Sequence, residues 1–125
     1  MTEDCHIEPI VSILSKSGKI NKILHPNIHN YRSIAEIYTT EVARDIDPGW
    51  RLHKDASMYL ALMSGSVKIQ IESGDVINSI VMDSSLDNLV FIPARTWFNF
   101  IGLDLLSIML CMSSIPHDPD EIERK

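Results

Sequence analysis

The chain has 125 residues, 45% of them apolar, and a formal net charge of −6. That length fits a single domain over 1–125, with its core at about 31–115, and the acidic balance argues against nucleic-acid binding, which needs clustered Lys and Arg. No apolar run reaches the ~20 residues of a membrane span. The two cysteines, Cys5 and Cys111, make no disulfide framework, and no basic stretch leads into an apolar one at the N-terminus. The expectation is therefore a cytoplasmic protein. A few local cations still suffice for a phosphate-bearing small molecule, and Arg51, Lys54, Lys68 and Arg95 are the candidates.

The first 15 residues are weakly patterned, with Ile7, Ile10, Val11, Ile13 and Leu14 able to form a short strand. Ser15 to Gly18 reads as a turn and Lys19 to Leu24 as a short strand, ended by a loop at His25-Pro26-Asn27 because a proline disfavours helix before it. Ile34 to Val42 predicts a strand with Ala35, Ile37, Thr39 and Glu41 on one face and Ile34, Glu36, Tyr38 and Thr40 on the other. Asp45 to Gly49 is a turn. Met58 to Met63 is a continuous apolar run, as in a strand covered on both faces. Ser64-Gly65-Ser66 is a tight turn, and Val67, Ile69 and Ile71 alternate with Lys68, Gln70 and Glu72 in a half-buried strand. A hairpin loop at Glu72 to Asp75 leads into Val76 to Met82. Asp83 to Asn88 is polar and turn-rich.

Leu89 to Ile92 is a short strand closed by Pro93. Arg95 to Phe100 alternates, placing Arg95, Trp97 and Asn99 on one face, and Leu103 to Met112 is the last strong strand. Asp118-Pro119-Asp120-Glu121 has the marks of a short helix start, with Asp118 as cap and Pro119 at the first position. Met58, Met63, Met82, Met109 and Met112 read as core filling. Short strands separated by frequent turns predict an all-β sandwich or barrel with a short C-terminal helical tail.

The densest polar chemistry is at Gly49-Trp50-Arg51-Leu52-His53-Lys54. In an extended segment Arg51 and His53 share one face, and Trp50, Leu52 and Lys54 the other. A guanidinium turned inward is costly unless it is paired or liganded, and a bound anion is one remedy. A lone histidine in a strand is more often structural than catalytic. Tyr38 is as compatible with rim packing as with chemistry, and Trp97 with a core or rim aromatic.

The order of these motifs resembles the cupin-fold enzymes that act on nucleotide-linked keto sugars. The residues that carry the likeness are Pro48-Gly49, the 49–54 segment, Leu62-Met63-Ser64-Gly65-Ser66, Glu72-Ser73-Gly74-Asp75 and Ile92-Pro93-Ala94-Arg95-Thr96-Trp97. From about Ile34 to the end the chain is similar to the sugar-nucleotide 3,4-ketoisomerases, and more distantly to the 3,5-epimerases.

The resemblance implies a cupin-type jelly-roll β-barrel, a homodimer, and a deoxythymidine-diphosphate sugar bound in the barrel mouth. No metal and no other cofactor is expected, because Arg51 and Phe98 stand where the usual cupin ligand set wants imidazoles and no Glu follows His53 in the next strand. The resemblance further implies catalytic roles for His53 and Tyr38 and a ligand contact from Arg51, while Arg95, Trp97 and Asn99 are further substrate-contact candidates because they share one strand face. The family pattern Gly-aromatic-His-X-His-Lys retains its second histidine as His53, while Arg51 stands at the first. The family's Trp-His is Trp97-Phe98. The expected activity is metal-independent isomerisation or epimerisation of a dTDP-linked 4-keto-6-deoxy sugar for polysaccharide precursor synthesis. The alternatives are a degenerate cupin that binds such a ligand without turnover, and a purely structural dimer module.

Overall fold

The computed structural model describes residues 5–25, 34–83 and 85–125. Its strands are β1 (His6–Pro9), β2 (Val11–Ser15), β3 (Gly18–Lys22), β4 (Glu36–Ala43), β5 (Arg51–His53) and β6 (Met58–Ser64). They continue as β7 (Val67–Ser73), β8 (Val76–Met82), β9 (Asn88–Ile92), β10 (Trp97–Gly102), β11 (Leu106–Ser113) and β12 (Ile122–Arg124). One five-stranded sheet runs β1-β9-β6-β11-β4 and a second runs β12-β5-β10-β7-β8, with β2 and β3 forming a separate hairpin. The result is an all-β, two-sheet jelly roll. The sheets are not closed on each other: among the described residues no ladder joins them.

Period-two patterning explains why these runs are strands. Val67, Ile69 and Ile71 point inward while Lys68, Gln70 and Glu72 stay partly exposed, so one register satisfies both faces. Central strand β6 sends Met58, Leu60 and Leu62 into the space between the sheets. Its Tyr59 and Ala61 lie on the other face, covered by Ile23, Leu24 and Ile34. This accounts for its unbroken apolar sequence. Leu60, Leu62, Val67, Ile69 and Met109 are completely buried, each contributing about 1.5–3 kcal/mol by removal from water.

Several boundaries differ from those the sequence predicts. β11 starts at Leu106, not Leu103, because 103–105 form a bend in which the Leu103 amide donates to the Ser66 carbonyl at 2.9 Å. Arg95 is not part of β10. It sits in the preceding turn at φ 65°. Met63 is 41% exposed and does not fill the core, unlike the other four methionines of the set. The loop read at His25-Pro26-Asn27 lies outside the described residues from Pro26 onward.

The tail departs most. Asp118 does cap it, its Oδ1 accepting from the Asp120 amide at 3.0 Å, but the turn is a three-residue 3-10 segment, Pro119–Glu121. The chain then extends into β12 against β5. So few residues cannot support a free helix, whereas the open edge of β5 offers backbone partners at once.

Candidate functional site

The two sheets enclose a cavity of about 150 Å³ between β4, β5, β10 and the tail. Tyr38 and Thr40 enter from β4, Arg51 and His53 from β5, and Phe98 and Phe100 from β10. Met58 and Cys111 close the inner end, and His117, Ile122 and Arg124 come from the tail. The alternation read in 49–54 holds here, since Arg51 and His53 face the cavity together. A second space of about 270 Å³ adjoins the first at Thr40, Arg51 and Phe100, and is walled by Val42, Ile46, Pro48 and Leu106.

His53 is 8% exposed. Its ring lies parallel to Phe98, 5.7 Å between centroids and 11° between planes. Its backbone carbonyl accepts from the Arg95 amide at 2.7 Å. Nδ1 lies 3.6 Å from Glu121 Oε1, within ion-pair reach but longer than a hydrogen bond. Glu121 is buried, and the same oxygen accepts from the amides of Asp55 at 3.1 Å and Ala56 at 2.7 Å. These two donors hold the carboxylate beside the imidazole. Burial lowers the His53 pKa below the ordinary 6.5, with Glu121 opposing that shift and Arg51, His117 and Arg124 adding to it. The ring is therefore neutral near pH 7, the form a general base needs.

Tyr38 donates to the Met58 sulfur at 3.6 Å, and a thioether is a weak acceptor. Burial pushes its pKa up to about 12, reinforced by Cys111 and Glu36, so the phenol keeps its proton and remains a donor. The Cys111 thiol lies 3.5 Å from Thr40 Oγ1, and burial raises its pKa. The Arg51 guanidinium lies 5.2 Å from the Phe98 centroid and 5.0 Å from that of Phe100. Cation–π contact of this kind is worth about 0.5–2 kcal/mol.

The other residues singled out in the sequence lie elsewhere. Because Phe98 and Phe100 take the inner face of β10, Trp97 and Asn99 point away from the cavity. Trp97 packs under Lys125 Nζ at 4.8 Å from the ring centroid, and that ammonium also pairs with Glu72 and lies over Trp50. Asn99 is 2% exposed and donates to Asp47 Oδ1 at 3.1 Å. The Gly49 amide meets the same oxygen at 2.9 Å. Asn99 thus pins the loop that carries Ile46 and Pro48 over the second space. Arg95 is exposed in its turn. Lys54 reaches the Asp120 carbonyl at 3.4 Å, and Lys68 lies partly exposed on β7.

Sequence reasoning missed Glu121, His117 and Arg124, all on the tail. The one available signal was the acid run after Pro119, which reads equally well as the first turn of a helix. Among the described residues no group of three or more His, Cys, Asp or Glu is arranged to hold a metal ion.

Facing antiparallel sheets with an imidazole, a phenol and guanidinium groups gathered between them define a cupin-type jelly roll with an interior site. The chain belongs to the family described as FdtA: WxcM-like, C-terminal, which matches residues 3–125. Compared by sequence with curated proteins, it matches none.

Among solved structures it is similar to the WlaRB TDP-quinovose 3,4-ketoisomerase from Campylobacter jejuni. The identity is 19% and the TM-score 0.87, over 98% of this chain and 94% of that one. It is also similar to QdtA, a sugar 3,4-ketoisomerase from Thermoanaerobacterium thermosaccharolyticum solved with TDP. Here the identity is 21% and the TM-score 0.84, covering 100% and 90% of the two chains. NovW, a 4-keto-6-deoxy sugar epimerase from Streptomyces spheroides, shares 12% identity at a TM-score of 0.83, over 98% of this chain and 69% of its own. At these identities the likeness establishes the fold.

Proposed function

We propose that the chain is an isomerase acting on a dTDP-linked 4-keto-6-deoxy sugar by proton transfer at His53. The observation that carries this is the buried pair of His53 and Glu121 at the cavity, with the protonated Tyr38 on the facing strand. His53 takes the proton from the carbon beside the ketone. The electrons form a C3=C4 enediolate, whose oxyanion the Tyr38 hydroxyl can meet. The imidazolium then returns its proton at C4, and the proton on the C3 hydroxyl passes to the C4 oxygen. The ketone now stands at C3, and no atom is gained or lost.

Family membership and the ketoisomerase neighbours support the substrate class. So does the size of the site: neither space alone reaches the ~300 Å³ of a typical ligand pocket, whereas the two together do. A metal-independent route fits the donor set, because a guanidinium and a phenyl ring flank His53 where a metal needs lone pairs.

The same reading takes the chain as a homodimer in the cytoplasm, serving polysaccharide precursor synthesis. Ile37 and Leu14, 61% and 83% exposed, leave apolar surface for a partner copy. Two free cysteines suit a reducing compartment. Light scattering at micromolar concentration should give twice the chain mass, and a monomer would refute the dimer.

The test of the activity is NMR with dTDP-4-keto-6-deoxyglucose in deuterated buffer. Deuterium should enter at C3 with wild-type protein and not with His53→Asn, which should keep its fold. Exchange undiminished in that variant rules out His53 as base. A second reading, binding without turnover, is favoured by Arg51 and the buried Phe98 standing where the family pattern has histidines. It predicts ligand-shifted resonances and no exchange.

A further inference from the structure

The isomerisation moves two protons, and His53 accounts for one of them. The other leaves the C3 hydroxyl and ends on the C4 oxygen. It needs a carrier that both takes up and releases a proton near neutral pH. Few groups at the cavity qualify. Burial holds the Tyr38 phenol and the Cys111 thiol in their protonated forms. Arg51 and Arg124 are guanidiniums, which do not give up a proton. Glu121, the partner of His53, is committed to two backbone amides. His117 remains. Among the described residues it is the one imidazole besides His53 on the cavity wall, and imidazole is the side chain suited to reversible proton transfer at this pH.

The segment that carries His117 is tied down. The Ser114 amide donates to the Ser57 carbonyl at 3.0 Å, and the Ser113 hydroxyl to the Ile115 carbonyl at 2.7 Å. Pro116 fixes the backbone just before His117, and Pro119 keeps Asp118 extended, at φ −141° and ψ 114°. The His117 amide reaches Glu36 Oε1 at 3.4 Å, on β4, the strand of Tyr38. Its ring meets the Tyr38 ring edge-on, 6.3 Å between centroids and 67° between planes. His53 is buried and His117 exposed, so one imidazole is closed off and the other is open to solvent. We propose that His117 is a second catalytic residue, carrying the hydroxyl proton beside Tyr38 while His53 handles the proton on carbon. This assignment rests on the isomerase reading and completes its proton path.

The steps balance. His53 takes the C3 hydrogen, the C–H pair forms C3=C4, and the carbonyl pair moves to the C4 oxygen. Neutral His117 then takes the proton of the C3 hydroxyl. The O–H pair becomes the C3 carbonyl, and the C3=C4 pair takes the His53 proton at C4. The His117 imidazolium finally gives its proton to the C4 oxygen. Both imidazoles end neutral, and Tyr38 keeps its proton throughout. The two oxygens stand on adjacent carbons, so one ring can serve both. A charge on His117 disfavours one on His53, which suits a hand-over in which one ring is charged as the other is discharged.

The experiment follows wild type, His117→Gln and His117→Ala with dTDP-4-keto-6-deoxyglucose in deuterated buffer. NMR reads deuterium at C3 and the 3-keto product separately, while circular dichroism and TDP affinity check fold and site. In His117→Gln, deuterium should still enter at C3, because His53 forms the enediolate and it collapses back. The 3-keto product should form about 10²-fold more slowly. Added imidazole should restore product formation in His117→Ala, since the position is open to solvent. Product formation as fast in His117→Gln as in wild type overturns the carrier. Exchange and product formation that fall equally also overturn it, since His117 would then only support the site. So does a folded, TDP-binding His117→Ala that imidazole leaves unrescued. The two readings fail separately. Wild type without exchange or product removes the isomerase and the carrier with it. Wild-type turnover that neither substitution slows removes the carrier and leaves the isomerase.

Discussion

Glu121 is the residue on which the acid–base reading depends most closely. It touches no substrate in this scheme. It is a positioning residue that acts through the His53 ring. Burial depresses the His53 pKa and the carboxylate counters that, so removing the charge should depress it further. In wild type the acid limb of kcat/KM is expected below pH 6.5, because the base works only when unprotonated. Glu121→Gln should move that limb to still lower pH. It should also reduce kcat/KM roughly tenfold or more, since the imidazolium formed during proton transfer loses its counter-charge. A pH–rate profile checks both. A limb that stays in place or moves up would mean that Glu121 only supports the 55–56 turn. Part of this site is legible in the sequence. Period-two alternation puts Arg51 and His53 on one face, and they line the cavity together. The same alternation groups Trp97 with Asn99, but it cannot say which face of β10 turns inward, because Trp97, Phe98 and Phe100 are all apolar. Packing settles it in favour of the phenylalanines.

At the scale of elements, the β6–β7 turn is fixed by a buried serine. Ser107 Oγ accepts from the Ser66 amide at 2.9 Å and donates to the Ser66 carbonyl at 3.0 Å. Gly65 lies beside it at φ 90°, and a Cβ there would stand 2.8 Å from the Ser107 Cα. Left-handed backbone costs a substituted residue about 1–2 kcal/mol, and the clash adds to this. Gly65→Ala is expected to lower unfolding free energy by at least about 2 kcal/mol in urea, with the m-value unchanged. A variant as stable as wild type would show that the turn relaxes freely. The turn itself is readable from Ser64-Gly65-Ser66. The fate of the tail is not. Asp118 and Pro119 encode a helix start locally, and they do begin a turn. The path of the chain beyond that turn is decided by β5, whose free edge lies some seventy positions earlier, and by the amides of Asp55 and Ala56 that receive Glu121. Local propensity carries no information about a partner so distant.

Taken as a whole molecule, the fold is a sandwich whose interior follows from its apolar patterning, while its site is a property of closure. The strands of the first sheet and the β7–β8 hairpin can pair without the tail, yet the cavity wall lacks His117, Ile122 and Arg124 until β12 docks. Contacts between segments far apart in sequence form slowly, because chain closure entropy precedes their reward. In refolding from urea, far-UV circular dichroism should therefore recover before the capacity to bind TDP. Tryptophan emission should follow the later phase, since Trp50 and Trp97 both lie against Lys125 just beyond β12. Simultaneous recovery would show the tail docking with the sheets. Because β12 is only three residues long, its docking makes completion of the cavity a late kinetic milestone: a population can carry all but one short strand of its sheets and still contain molecules whose cavity wall is, for a time, open.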